Sequence, residues 1–137
     1  MKLPVPEAQL AGCVWLPRII AKARALQNGK LPEEYAIRFG ASDGVDGVFL
    51  RFFDLTKEQI FAAADQPDAA VARWFESLPT VSAKRIEEWN HIGMNLGRAG
   101  FPLADRLPIG PKSKYAHLAN RGIQTIFQML KADEETL

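Results

Sequence analysis

The stretch AGCVWLPRIIAKARAL, residues 11–26, decides how the chain is read. At about 100° per residue, Trp15, Leu16, Ile19, Ile20, Ala23 and Leu26 fall on one arc. That spacing predicts an amphipathic helix from near Glu7 or Ala8 to Gln27, stopped by Asn28-Gly29. Pro17 allows two arrangements. It kinks one long helix, or it sits in the first turn of a helix that begins near Leu16. The second is preferred, with a short helical turn before it. Arg18 and Lys22 border the apolar arc beside Trp15, and Arg24 lies on the far side.

The same periodicity continues outward. VDGVFLRFFDL, 45–55, carries a broad apolar face of Val45, Val48, Phe49, Phe52 and Phe53. Thr56 and Gln59 match a capping box that starts KEQIFAAA. Pro67 suits the first turn of DAAVARWFESL, and Pro79 ends it. Ser82 caps AKRIEEWNHIGMNL, with Ile86, Trp89, Ile92 and Leu96 on one side. FPLADRLPIGPKSK, 101–114, reads as a long Pro-rich loop, and a last helix is expected from Tyr115 to about Lys131. YAIRF, 35–39, is the best strand candidate but has no partner. The fold class is therefore all-α. The expectation is a single globular domain over 1–137, with about five to seven helices, short connections and one long loop.

Composition supports a globular chain. It has 137 residues, 47% of them hydrophobic, and a formal net charge of +1, so no global field draws it to nucleic acid or membrane. Charge is uneven along the chain. Residues 1–31 hold five bases and one acid, whereas 32–76 hold four bases and nine acids. Pairing of the acidic middle with the basic ends is the simplest explanation, and an anion site built from the basic ends is the other. Cys13 is the only cysteine, which fits a reducing compartment. Pro4, Pro6, Glu7 and Gln9 interrupt any signal-like apolar run, and no segment is long and apolar enough to span a bilayer. A cytoplasmic protein is expected.

The order of motifs resembles a small family of bacterial domains of unknown function. Leu-Pro-Arg (16–18) opens a helix containing KARA (22–25). Asp46, Phe49 and Phe52 follow at a spacing of three, then Glu87-Glu-Trp-Asn90 and an acidic tail. Two features depart from the family pattern: Ala21 stands where an acid precedes the KARA lysine, and the residues before Asp46 differ. The resemblance implies a bacterial, cytoplasmic, helical domain, and it transfers no catalytic residue.

Asp46 is the most informative side chain. On the helical wheel it falls between Phe53 and Leu50, inside the apolar arc. A buried carboxylate without partners is costly, so it pairs or titrates. Three roles stay open: an N-terminal cap together with Asp43, a structural ion pair with a cation of the first helix, or a working acid or base. Arg18 and Lys22 repel mildly at i, i+4. They are either solvated or share a counter-charge, which is Asp46 or a ligand anion.

Other patterns carry less. Glu88 and His91 form one metal half-motif without the second that a bundle site needs, so neither metal nor cofactor is expected. His117 and Arg121 read as a solvated face. Gly110-Pro-Lys-Ser-Lys lacks phosphate-loop spacing. Cys13 reads as a buried, inert thiol.

The leading functional reading is a pocket between the first helix and the Asp46 helix that binds or transforms a small anionic or polar ligand. Arg18 and Lys22 hold its charge, Asp46 is the acid or base, and Trp15 is a wall. The alternative is a non-enzymatic protein-interaction module. Nucleic-acid binding ranks third, and a homo-oligomer fits either of the first two.

Overall fold

The computed structural model describes residues 2–105 and 122–135. Helices dominate, as the periodicity requires. Among the described residues there are seven helices and one two-stranded sheet.

The chain opens with a hairpin in place of the helical turn expected there. Strand β1 (Gln9–Leu10) pairs antiparallel with β2 (Cys13–Val14), Gln9 opposite Val14 and Leu10 opposite Cys13. The turn residues Ala11 and Gly12 have φ of 54° and 75°. A two-residue hairpin with positive φ at both positions matches the twist of its strands, and Gly12 makes it accessible. Helix α1 (Leu16–Gln27) follows with Pro17 in its first turn, where the missing N–H breaks no helical bond. It stops as expected. Gly29 has φ 67°, Lys30 N donates to Ala25 O at 2.8 Å and Gly29 N to Leu26 O at 3.1 Å, the paired bonds of a glycine C-cap.

The strand candidate at 35–39 is not a strand. Helix α2 (Glu33–Ala36) and the turns after it occupy the stretch. A lone strand would leave its backbone groups unpaired, whereas a helical turn satisfies them, as in Ile37 N to Glu33 O at 3.0 Å. Helix α3 (Val45–Phe53) ends at Asp54, which has φ 54°. Helix α4 (Lys57–Ala64) begins at the expected capping box: Gln59 N donates to Thr56 Oγ1 at 3.2 Å and Thr56 N to Gln59 Oε1 at 2.8 Å. Helix α5 (Asp68–Ser77) follows Pro67. Helix α6 (Ala83–Met94) follows Ser82, whose Oγ accepts from Arg85 N at 3.1 Å.

Helix α7 (Ile126–Glu135) starts later than expected. Of the predicted Tyr115–Lys131 span, 122–125 are not helical, and Gly122 has φ 67°. The start is set by Thr125, whose Oγ1 accepts from Gln128 N at 3.2 Å. Tyr115, His117, Ala119, Arg121 and the Gly110–Lys114 segment lie outside the described residues, as does the long loop beyond Asp105.

The chain forms two compact units, Met1–Asn90 and His91–Leu137. In the first, α1 packs chiefly on α4. Its centre is aromatic. The Phe49 ring meets Phe53 and Trp89 edge-on, both at 5.3 Å, and Phe53 meets Phe75 at 5.1 Å. All four side chains are fully buried. Such pairs add about 0.5–1.5 kcal/mol each beyond area burial. In the second unit Ile126 N donates to Leu96 O at 2.8 Å, and the His91 ring lies edge-on to Phe101 at 5.5 Å.

The uneven charge is partly resolved by pairing of the basic N-terminal region with the acidic middle. Lys22 pairs with Asp46 and Arg24 with Asp68, both at 2.8 Å. Arg38–Asp43 and Arg85–Glu88 are local pairs.

Candidate functional site

The residue at the centre of the site is Trp15. It joins β2 to α1 and has φ 73°, ψ −25°. A bulky L-residue with positive φ is a strained outlier, costing on the order of 1–3 kcal/mol. It persists only when its surroundings fix it, and here they do. Trp15 N donates to Pro6 O at 3.0 Å. Just before it, Val14 N donates to Asn90 Oδ1 at 3.0 Å and Val14 O accepts from Trp89 Nε1 at 2.9 Å. Asn90 Nδ2 also donates to Gly12 O at 2.8 Å. The Trp-Asn pair on α6 therefore holds the outer edge of β2.

The indole reaches Asp46. Trp15 Nε1 donates to Asp46 Oδ1 at 2.8 Å. Lys22 Nζ lies 2.8 Å from both carboxylate oxygens, and Gly40 N donates to Oδ2 at 3.0 Å. Both oxygens are engaged, by donors from the hairpin junction, α1 and the loop before α3. Asp46 itself stands in the first turn of α3, where the helix dipole also favours an anion. It makes no side-chain cap bond, and the cap position belongs to Gly44. Of the three open roles, the geometry contains the ion pair and not the cap.

Lys22 is held by more than charge. Its Nζ lies 4.8 Å from the Trp15 ring centroid and 5.9 Å from that of Phe39. A desolvated ammonium over aromatic faces gains roughly 2 kcal/mol or more. Arg18 sits on the same indole, Cζ 5.3 Å from its centroid, and donates to Pro4 O at 3.0 Å. The structure thus brings Trp15, Lys22 and Asp46 into direct contact and places Arg18 beside them, through Trp15. Exposure is 2% for Trp15, 1% for Arg18, 7% for Lys22 and 2% for Asp46, so all four side chains are buried.

Two parts of this arrangement are not legible in the sequence. The helical spacing marks Trp89 as core and Asn90 as part of a motif, and it carries no sign of the hairpin they hold. Phe39 ends the stretch that reads as a strand, and Gly40 follows it. The usable signal was Ala11-Gly12, a two-residue turn with glycine second.

Other candidates sit elsewhere. Glu88 is 3.2 Å from Arg85, so its carboxylate is already paired. Among the described residues no cluster of three His, Cys, Asp or Glu side chains could hold a metal ion. Cys13 is buried, and burial pushes its thiol pKa up, the opposite of what a nucleophile needs. A groove of about 780 Å³ lies at the C-terminal ends of α1 and α4, lined by Arg24, Gln27, Asn28 and residues 64–68. Arg24 is tied down there by Ala64 O, Gln66 O and Asp68. No helix among the described residues is long and apolar enough to cross a membrane.

The chain belongs to a family of domains of unknown function, DUF5069, whose model matches residues 2–136. No curated protein and no solved structure matches it.

Proposed function

We infer that this chain works as a non-enzymatic interaction module, in which Trp15, Lys22 and Asp46 shape the fold and perform no chemistry. One observation carries this reading. Both oxygens of Asp46 are filled by the chain's own donors at 2.8–3.0 Å. An acid or base must reach the proton it moves, at about 2.6–3.2 Å. Asp46 would have to release Lys22 or Trp15 first.

The interaction surface we assign is the loop that Asp46 holds through Gly40. Ile37 opens this loop and is 73% exposed, against 38% for Val5 and 44% for Met94, the other exposed large apolar side chains among the described residues. The loop is braced by Arg38–Asp43 at 3.0 Å and by Arg51 Nη1 donating to Ser42 O at 2.9 Å. A rigid loop lowers the entropy lost on binding. A cytoplasmic, bacterial setting belongs to the same reading, in keeping with the lone buried Cys13.

The second reading is a small anionic ligand held by Arg18 and Lys22. Two cations on one indole favour it. It needs a route to side chains that are almost wholly buried.

A thermal-shift series separates the two. For the interaction module, phosphate, sulfate and carboxylic acids leave the wild-type melting temperature unchanged. Cross-linking of the chain in its own cells then yields one discrete partner, or a second copy, and Ile37→Asp loses that product at unchanged stability. An anion that stabilises the wild type but not Arg18→Met would overturn the interaction reading in favour of the ligand reading.

A further inference from the structure

The surroundings of Lys22 Nζ have the composition of a receptor for a primary ammonium ion. The Trp15 ring is 4.8 Å away, the Phe39 ring 5.9 Å, and two carboxylate oxygens lie at 2.8 Å. Aromatic faces attract a cation through the ring quadrupole, and a carboxylate adds charge-assisted hydrogen bonds. Asp46 and Trp15 each have anchors besides Lys22. The carboxylate is oriented by Trp15 Nε1 at 2.8 Å and by Gly40 N at 3.0 Å. The Trp15 backbone is fixed by Pro6 O and, through Val14, by Trp89 and Asn90.

We propose that the Trp15 and Phe39 rings and the carboxylate of Asp46, which the Gly40 amide orients, form a preorganised binding site for a primary alkylammonium, which the chain fills with its own Lys22. This goes beyond the interaction reading and does not rest on it. The ligand class follows from the contacts. Both oxygens of Asp46 receive the ammonium at hydrogen-bonding distance, so the ligand must carry N–H donors. A primary ammonium does, and a tetramethylammonium has none.

Lys22→Ala tests this, because alanine keeps the helix and removes three methylenes and the ammonium, the volume of n-propylammonium. The variant is unfolded by heat or denaturant with n-propylammonium chloride, tetramethylammonium chloride or sodium chloride at equal ionic strength. The site predicts saturable stabilisation by n-propylammonium alone, a rise of about 5 °C at roughly ten times its Kd. If Lys22→Ala does not fold by itself, the same salt series is read as refolding, and n-propylammonium alone restores helical circular dichroism. Lys22→Met fills the volume with a thioether chain and gains nothing from the amine. Lys22→Ala with Asp46→Asn loses the response, because the carboxylate is gone. An n-propylammonium effect no larger than that of sodium chloride, in the folded or the refolding assay, overturns the proposal. Equal stabilisation by tetramethylammonium overturns the assignment to primary amines.

Discussion

The indole N–H of Trp15 donates to Asp46 Oδ1 at 2.8 Å across 31 positions of sequence. Trp15 has φ 73° and joins β2 to α1, while Asp46 stands in the first turn of α3. The bond therefore ties a strained junction to a second helix through a buried carboxylate. It anchors the side chain of a strained residue, and it gives the buried carboxylate of Asp46 a fixed donor.

Trp15→Phe removes that donor and keeps an aromatic ring over Lys22. Oδ1 keeps the Lys22 ammonium, so the cost is that of one hydrogen bond to a charged group, about 1.5–3 kcal/mol. The expected result is a loss in that range on urea unfolding, with the helical circular dichroism unchanged. A loss under about 0.5 kcal/mol would show that Lys22, which also donates to Oδ1, suffices to hold it.

Lys22 and Asp46 should behave as a coupled pair. Asp46→Ala strands a buried ammonium and should cost on the order of 3 kcal/mol. Lys22→Met with Asp46→Leu removes both charges and should recover much of it. A double-mutant cycle should give a coupling energy above about 1 kcal/mol, little changed in 1 M salt because the pair is buried. Additive losses would mean that the two residues act separately.

Gly47→Ala should destabilise, although alanine is the better helix former by about 1 kcal/mol. A Cβ at Gly47 would run into the carbonyl oxygen of Ala41 and the Cα of Ser42, both backbone atoms. Gly47 N also donates to Ala41 O at 3.1 Å, which keeps the two strands of chain close. A net loss of about 1–3 kcal/mol is expected from thermal unfolding. A gain in stability would show that the 41–42 turn yields easily.

Cys13 sets an alkaline limit. Burial pushes its thiol up, so the folded chain keeps a proton that the unfolded chain loses. That contribution is complete below the ordinary thiol value of about 8.5 and declines as pH rises above it. Stability should therefore fall between pH 8.5 and 10.5, and Cys13→Ala should show a shallower fall. A chromogenic disulfide reagent at pH 8 should label Cys13 only as fast as the chain opens. Immediate labelling of the folded protein would contradict its burial.

Where α1 stops and where α4, α5 and α6 start is legible in the sequence. Thr56-x-x-Gln59, Ser82, Pro67 and Gly29 act on groups one helical turn away, so their effect is readable from spacing alone. The apolar arcs of α1 and α3 marked the core for the same reason, and they placed Asp46 on a buried face. Tertiary structure decided the rest. Whether Arg18 or Lys22 would meet Asp46 depends on how α1 crosses α3, which one turn of helix does not reveal, because both cations border the same arc. The hairpin at 9–14 was hidden because two-residue strands leave no periodicity, and its outer edge is completed by Trp89 and Asn90 from the far end of the first unit. The strand expected at 35–39 failed for the converse reason. Its side chains favour a strand, but among the described residues no strand pairs with it, and its backbone groups pair by turning, as Ile37 N does with Glu33 O.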